Sequence, residues 1–384
     1  MKNNKEAKRK LCPPVRWLLI TACTALMPCT TYAQKSNTYM VFDFWASSDS
    51  IALAKVETWR GDLTDHGTLT FGHMNIEAGA YLSDGWQVAA TQRQSSQYEY
   101  TPSTATAYHH LSNRALQAPS NFQGIDLKIS QYQAHGFKVG KGLQYALGHY
   151  LYVNGEVFEA YQLTHGQITG TAELANENSY NYDVSVDYAY SQDRLFGRSS
   201  VNAPQGKGFS LGFALQGKVS NKLRYELQAD DLVGAIFWPS APYTLGSAVP
   251  AKIYLDDEGY LTSTPGISGL DGYRKLRQPL SARWQGKLTY VTQETSGTDY
   301  SLAWQSLFGR QQLGLGIAVG NVDEGKFDVT YWAYGHKRLD MRATIEHWSL
   351  QVGADQLAAK NRRNLQVSLS YNWSPAGGLA RSVQ

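Results

Sequence analysis

The segment that most constrains the fold of this chain is a run of nine residues near its end. Apolar side chains occupy every second position of this run: Leu365, Val367, Leu369, Tyr371 and Trp373. The residues between them are polar. Because successive side chains of a β-strand point to opposite faces, this alternation predicts a strand with one apolar and one polar face.

The same alternation recurs along most of the chain. Five further segments show it clearly: 180–190, 209–215, 223–229, 313–319 and 327–333. Short polar turns such as Gly148-His149 and Ser220-Asn221 separate neighbouring segments, and they carry Gly or Asn where a positive φ is needed. Successive strands are therefore predicted to form antiparallel hairpins.

The start of the chain predicts export. Basic residues are followed by an apolar run from Trp17 to Met27, and Thr31-Tyr32-Ala33 offers a cleavage site. We expect residues 1–33 to be a signal peptide, with a lipoprotein site at Cys23 as the alternative. All three cysteines lie in this segment, so the exported protein would contain no disulfide.

Composition selects the class of β-protein. The chain has 25 Tyr, 10 Trp and 35 Gly with a mean hydropathy of −0.39, and beyond the signal it has no apolar run long enough for a membrane helix. Alternating strands rich in interfacial aromatics are typical of outer-membrane barrels. We predict an all-β fold, a transmembrane antiparallel up-and-down β-barrel at residues 34–373 in the bacterial outer membrane, with 374–384 as a loose tail.

The number of strands is predicted at about 14 to 18. Pattern matching alone gives 16 or 17, although a bacterial single-chain barrel needs an even number. The two uncertain segments are Tyr39 to Trp59, which could be one strand or two, and Met341 to Gly353. In the second, the apolar parity shifts between Ile345 and Trp348, which indicates either a β-bulge or a missed break.

The polar parity of these strands carries charges of both signs. An Arg or Lys that faces lipid at the bilayer midplane costs ~2–4 kcal/mol, so the charged side chains are predicted to face the lumen. The predicted lumen residues are Asp183, Asp187, Arg224, Glu226, Asp230, Arg283, Lys287, Arg342 and Glu346. They would either line a pore or brace a closed barrel.

Three longer connections are predicted, at about 101–121, 192–207 and 239–279. The last contains five prolines and should lie on the outer rim, where long loops carry function. Its acidic triplet Asp256, Asp257 and Glu258 is a weak candidate for a Ca²⁺ site, and an acidic turn is the preferred interpretation. No other metal and no cofactor is expected.

The sequence offers little support for catalysis. Gly208 to Gly212 fits the G-x-S-x-G pattern, but the nucleophile elbow needs a strand-to-helix turn, and here the motif lies inside an alternating strand. We therefore predict that the protein is not an enzyme. A nucleic-acid partner is not expected either, because the formal charge of +3 includes six basic residues of the signal peptide.

The segment from Gly206 to Pro239 resembles a hairpin of the FadL and conjugative TraF-like group of outer-membrane barrels. The shared features are a Gly-aromatic-x-x-Gly strand, an Asn-Lys turn, and a return through Asp231-Leu232 to Ile236-Phe237-Trp238. The segment from Tyr273 to Val291 resembles their next strand. Two features depart from the FadL pattern, since the family's N-terminal plug motif is not found and the chain continues past Trp373.

This resemblance implies a monomeric envelope barrel. In the FadL branch it would pass small hydrophobic compounds, and in the other branch it would act around secretion or conjugation machinery. We predict a barrel that allows a small solute to cross, with a non-transporting anchor or assembly component of a secretion, conjugation or polysaccharide-export system as the alternative. The expected partners are outer-membrane lipid, the barrel-assembly machinery through the terminal strand, and a small solute or an envelope protein.

Overall fold

The computed structural model describes residues 38–373, apart from 65, 114–120, 177–178, 194, 196, 199–200, 251, 256–260, 265, 293–296, 322–324 and 336. The predicted signal peptide, the predicted tail and the acidic triplet Asp256, Asp257 and Glu258 lie outside the described residues.

Nearly all of the regular structure is β. The first eight strands are β1 (Thr38–Ser48), β2 (Leu69–Tyr81), β3 (Trp86–Tyr100), β4 (Asn121–Ala146), β5 (His149–Asn176), β6 (Ser179–Tyr190), β7 (Gly206–Lys218) and β8 (Leu223–Ala248). The remaining strands are β9 (Lys252–Leu255), β10 (Leu261–Thr264), β11 (Ile267–Pro279), β12 (Arg283–Val291), β13 (Asp299–Leu307), β14 (Arg310–Asn321), β15 (Gly325–Tyr334), β16 (Arg338–Ile345), β17 (Trp348–Ala354) and β18 (Asn364–Asn372).

One α-helix, α1 (Pro102–Ser112), follows β3. Its first turn is fixed by Pro102 at the start and by Thr101, whose hydroxyl accepts a hydrogen bond from the Thr104 amide at 3.2 Å. Short 3-10 turns occur at Leu53–Lys55 and Ser83–Gly85. No helix in the described ranges is both long and apolar enough to cross a membrane.

The sheet closes on itself as a 14-strand antiparallel barrel. Its first strand, β1, pairs with β2 on one side and with the last strand, β18, on the other. Two strand positions in the barrel are each shared by two successive strands. Between β5 and β8, both β6 and β7 pair with these two neighbours. On the other side of β8, both β11 and β12 pair with it. The predicted all-β antiparallel barrel is confirmed, and so is the strand range.

The structure settles both uncertain segments. Residues 39–59 contain a single strand, β1, followed by a loop. The parity shift after Ile345 is a hairpin turn at Glu346-His347 between β16 and β17, and the bulge interpretation is wrong. The predicted loop at 239–279 is also wrong in part: β8 continues to Ala248 and pairs with β11, and Pro239 lies at the register shift of this ladder.

One half of the barrel extends beyond the other. We call the rim where β1 begins and β18 ends the near rim, and the opposite one the far rim. Past the far rim, β4, β5 and β8 continue as strands of 26, 28 and 26 residues and pair with β6 and β11. This extension has its own apolar core, formed by Tyr132, Ala134, Phe158, Ala160, Leu163, Ala189, Ile236, Trp238 and Ala241.

The outer surface of the barrel is apolar over a broad belt. Leu313, Leu315 and Ile317 on β14 are each 43% or more exposed, although they are surrounded by regular sheet. Near the near rim the exposed residues become aromatic: Tyr145, Tyr290, Tyr300, Trp348 and Trp373. An apolar belt edged by Tyr and Trp is the surface that a bilayer core and its interface select.

We expect Leu315→Arg to destabilise the folded barrel by ~2–4 kcal/mol, because Leu315 lies in the middle of β14 and faces outward. The measurement is urea-induced unfolding in lipid vesicles, followed by tryptophan fluorescence. Leu357→Arg is the matched control, since Leu357 is 90% exposed in the loop between β17 and β18. Equal effects of the two substitutions would contradict a lipid-facing β14.

Candidate functional site

A cluster of ionised side chains is buried inside the barrel. Both oxygens of Asp231 accept hydrogen bonds from Nη2 of Arg93 at 2.6 Å, and Nη1 of Arg93 donates to Glu156 at 3.0 Å. Arg283 donates to Asp231 at 3.1 Å from another strand. Arg93, Glu156 and Asp231 are each at least 91% buried, so these charges depend on one another for compensation.

Neutral groups complete this ion cluster. The Ser210 hydroxyl donates to Asp231 and the Thr91 hydroxyl donates to Glu156, each at 2.6 Å. The guanidinium of Arg93 lies 5.3 Å from the ring centre of Phe158. Charge-assisted hydrogen bonds of this kind are about twice as strong as neutral ones, and together they hold Arg93 in one orientation.

A β-bulge positions the central carboxylate. Leu211 of β7 pairs with Val233 of β8, but Phe213 pairs with Ala229, so three residues of β8 lie opposite Gly212. Asp231 is the middle residue of the three and adopts a left-handed conformation with φ of 55°. Without the bulge, strict alternation would turn Asp231 toward lipid. Two extra residues leave the parity of β8 unchanged beyond the bulge, so the inward direction is local to Asp231 and its left-handed backbone.

The ion cluster spans the lumen. Around the barrel the strands follow the order β2, β3, β4, β5, β7, β8, β12, so β12 is six strands from β2. In a ring of 14 strands the two lie nearly opposite each other. Arg283 on β12 nevertheless hydrogen-bonds His73 on β2. Side chains from opposite walls thus meet at this level of the lumen.

An apolar contact crosses the lumen on the far-rim side of the ion cluster. Phe308, directly after β13, packs against Phe71 of β2 with ring centres 4.6 Å apart. Trp45, Leu69 and Leu307 belong to the same buried cluster. Beside it, the guanidinium of Arg338 lies 4.5 Å from the ring centre of Trp45 and 5.2 Å from that of Trp332. These contacts join strands from opposite sides of the ring.

Toward the near rim the lumen widens into a cavity of about 540 Å³. It reaches from the ion cluster and the apolar residues Trp45, Leu307 and Phe308 to Leu82 and Asn372 at the near rim. Ion pairs on its wall include Lys138 with Glu77 at 2.7 Å and Lys287 with Asp328. A cavity of this size holds one small molecule and is lined here by both charge signs.

The structure places five of the nine predicted lumen residues on the wall of this cavity: Glu226, Asp230, Arg283, Lys287 and Arg342. Arg224 has the same parity on β8 as Glu226 but lies nearer the near rim. Arg342 donates to the side-chain carbonyl of Gln351 at 3.0 Å. Glu226 has no hydrogen-bond or ion-pair partner among the described residues.

The other three predicted residues lie elsewhere. Asp183 and Asp187 are on β6 in the extension, where Asp187 accepts a hydrogen bond from Arg274 at 2.6 Å. Glu346 is in the β16–β17 turn, where its φ is 49° and strand parity does not set its direction. In the part of the chain that the structure describes, no group of three His, Cys, Asp or Glu side chains could hold a metal ion.

Sequence reasoning missed the centre of the site. Arg93 shares a polar parity with Gln87, Thr91 and Ser95, but the opposite parity of β3 is also mostly small or polar, so the alternation is weak. Asp231 breaks the alternation, and only the register across β7 and β8 shows why. Ser210 lies within β7 and hydrogen-bonds Asp231, so the G-x-S-x-G pattern forms no nucleophile elbow.

No protein-family model matches this chain, and no curated protein matches its sequence. Solved structures similar to it include a deltaS2 mutant of the TodX monoaromatic hydrocarbon channel, with 9% identity, coverage of 89% of this chain and 91% of that chain, and a TM-score of 0.45. The Pseudomonas putida toluene transporter TodX has 10% identity, coverage of 88% and 90%, and a TM-score of 0.43. The Ralstonia pickettii toluene transporter TbuX has 10% identity, the same coverage and a TM-score of 0.32.

The likeness to FadL-family outer-membrane barrels that the sequence suggests is thus also found among solved structures. With TM-scores below 0.5, they add no argument to the barrel that the strand pairing of this chain already closes. The chain is a closed β-barrel whose lumen carries a buried ion cluster.

We expect Asp231→Asn to lower the free energy of unfolding by ~3–5 kcal/mol, because it leaves Arg283 without a carboxylate and Arg93 with only Glu156. Urea-induced unfolding in lipid vesicles measures this. Glu226→Gln is the control and should change stability by less than ~0.5 kcal/mol, since Glu226 is exposed to the lumen. A loss no larger than that of the control would show that the ion cluster does not stabilise the barrel.

Proposed function

We propose that this protein is a non-enzymatic outer-membrane barrel that lets a small solute cross through a lumen that is closed at rest. The near rim, with its mostly short turns, would face the periplasm, and the far rim with the extension would face outward. The observation that carries this proposal is a lumen with a wide, charged cavity on one side and a side-chain barrier on the other.

The size of the cavity supports a small solute. A volume of about 540 Å³ falls in the range of binding pockets for single small molecules and is far below that of the water-filled channel of a general porin. The cavity wall combines the pairs Lys138–Glu77 and Lys287–Asp328 with exposed Glu226. Polar groups of either charge could therefore be held while the solute passes.

The barrier is made of side chains, which supports a gate. The ion cluster and the Phe71–Phe308 contact cross the lumen through side chains, and beside them the Ser281 hydroxyl of the β11–β12 connection donates to Gln97 of β3 at 2.9 Å. Side-chain contacts can separate while the backbone ladder of the barrel stays paired. A solute could thus pass after a local rearrangement of Arg93, Asp231 and Arg283.

A second function is favoured by the same barrier. Contacts between opposite walls also stiffen a barrel that serves only as an anchor for an envelope assembly. An anchor needs no open state, whereas a solute channel must have one. The two functions therefore differ in whether loosening the barrier produces conductance.

We expect the native protein to show little conductance in planar lipid bilayers and R93A/E156A to show at least a several-fold increase. This double substitution removes one charge of each sign from the barrier and leaves Asp231 paired with Arg283. K287A/D328A is the matched control, because it removes a pair from the cavity wall, outside the barrier. Its conductance should remain at the native level.

Folding of both variants is checked by heat-modifiable migration in gels and by circular dichroism. If folded R93A/E156A shows no increase in conductance, the transport proposal fails and the anchor function is favoured. A large steady conductance of the native protein would contradict the closed resting lumen.

A further inference from the structure

The outer surface changes from apolar to charged in one step where the barrel meets the extension. The last apolar row crosses five paired strands: Phe137, Val157, Phe209, Ala235, which is fully buried, and Pro279. Each residue of this row is the direct cross-strand partner of the next. The row continues the outward parity of Leu211 and Val233, which are 47% and 53% exposed.

The next outward row, two residues further along each strand, contains four polar side chains. Its members are His135, Glu159, Lys207, Phe237 and Arg277, again paired across β4, β5, β7, β8 and β11. Two residues of β-strand span about 7 Å. An apolar belt that ends over this distance in a charged row marks the boundary between the acyl chains and the headgroups.

Three basic side chains gather at one end of this row. Lys207 and Arg277 flank Phe237 on its two neighbouring strands, which places them about two strand spacings, or roughly 10 Å, apart. Lys275 is two residues beyond Arg277 and shares its outward parity. All three are exposed, and we call them the basic patch.

Few acidic groups compensate the basic patch. Glu159 is the cross-strand partner of Lys207, but it is exposed and lies 3.9 Å from the His135 imidazole. Further along β11, Asp271 accepts a hydrogen bond from Thr244, and Arg198 lies 5.4 Å from the ring centre of Tyr273. Among the described residues, Lys275 and Arg277 have no carboxylate partner.

An apolar platform lies directly beside the basic patch on its membrane side. Phe209 and Phe237 stack with ring centres 6.4 Å apart, and Leu211 and Val233 continue this surface toward the barrel middle. Phe237 is 48% exposed although two cations flank it. The surface therefore combines unneutralised positive charge with an apolar area that suits acyl chains.

We propose that the basic patch binds the phosphate groups of lipid A in the outer leaflet, with acyl chains of the same molecule on Phe209, Leu211 and Val233. This rests on the proposed placement of the barrel in the outer membrane with the far rim outward. Lipid A fits because its anionic phosphates lie at the depth where the apolar belt ends. Arg and Lys at a membrane surface attract anionic headgroups in this way, and Arg277 can take a phosphate with two parallel hydrogen bonds.

The test is a titration of the purified full-length barrel in detergent with bis-phosphorylated lipid A, read by native mass spectrometry. We expect K207Q/K275Q/R277Q to weaken lipid A binding at least tenfold relative to the native protein. The matched control is K141Q/K218Q/K222Q, which removes three positive charges near the near rim, and its affinity should stay within twofold of native. Heat-modifiable migration confirms that both variants are folded.

A second arm uses lipid A from which both phosphates have been removed. The native protein should bind it at least tenfold more weakly, at a level close to that of K207Q/K275Q/R277Q with the phosphorylated lipid. Equal affinity for the two lipids, or equal loss in both triple variants, would overturn the proposal. The conductance of R93A/E156A is measured separately, so the lipid site can fail while the transport proposal stands.

Discussion

Closure of the sheet by the pairing of β1 with β18 is the constraint on which the rest of this structure depends. Inside a bilayer no water is available to pair exposed N–H and C=O groups, so a sheet with open edges would leave a row of them unsatisfied. Once the sheet is closed, each strand has one face toward lipid and one toward the lumen. The charges on the polar parity are thereby confined to the interior, where Lys138 meets Glu77 and Lys287 meets Asp328.

The bulge in β8 links this architecture to function. A regular ladder would leave the lumen lined only by the strict polar parity, whereas the extra residues opposite Gly212 turn Asp231 inward as well. That carboxylate gathers Arg93 and Arg283 from other walls, and the lumen becomes narrow at that level and wide toward the near rim. The bulge in β8 thus places the ion cluster next to the near-rim cavity.

Because one half of the barrel is longer than the other, its outer surface has a charged part in addition to the apolar belt. Because β4, β5 and β8 continue past the far rim, their sheet extends beyond the apolar belt of the outer surface. On β7 the outward residue changes from apolar Phe209 to charged Lys207 at this boundary. Inside, the extension keeps an apolar core around Trp238, so its two faces follow the same rule as a soluble sheet.

The sequence by itself determined the fold class, the antiparallel hairpins and the inward face of Glu226, Lys287 and Arg342, since these follow from a period of two that is local to each strand. Tertiary structure decided the number of strands, the hairpin at Glu346-His347 and the sheet at 239–248, because each depends on which strands pair and in what register. It also decided the ion cluster. Arg93, Glu156 and Asp231 are far apart in the chain, and only barrel closure together with the β8 bulge brings their side chains within hydrogen-bond distance.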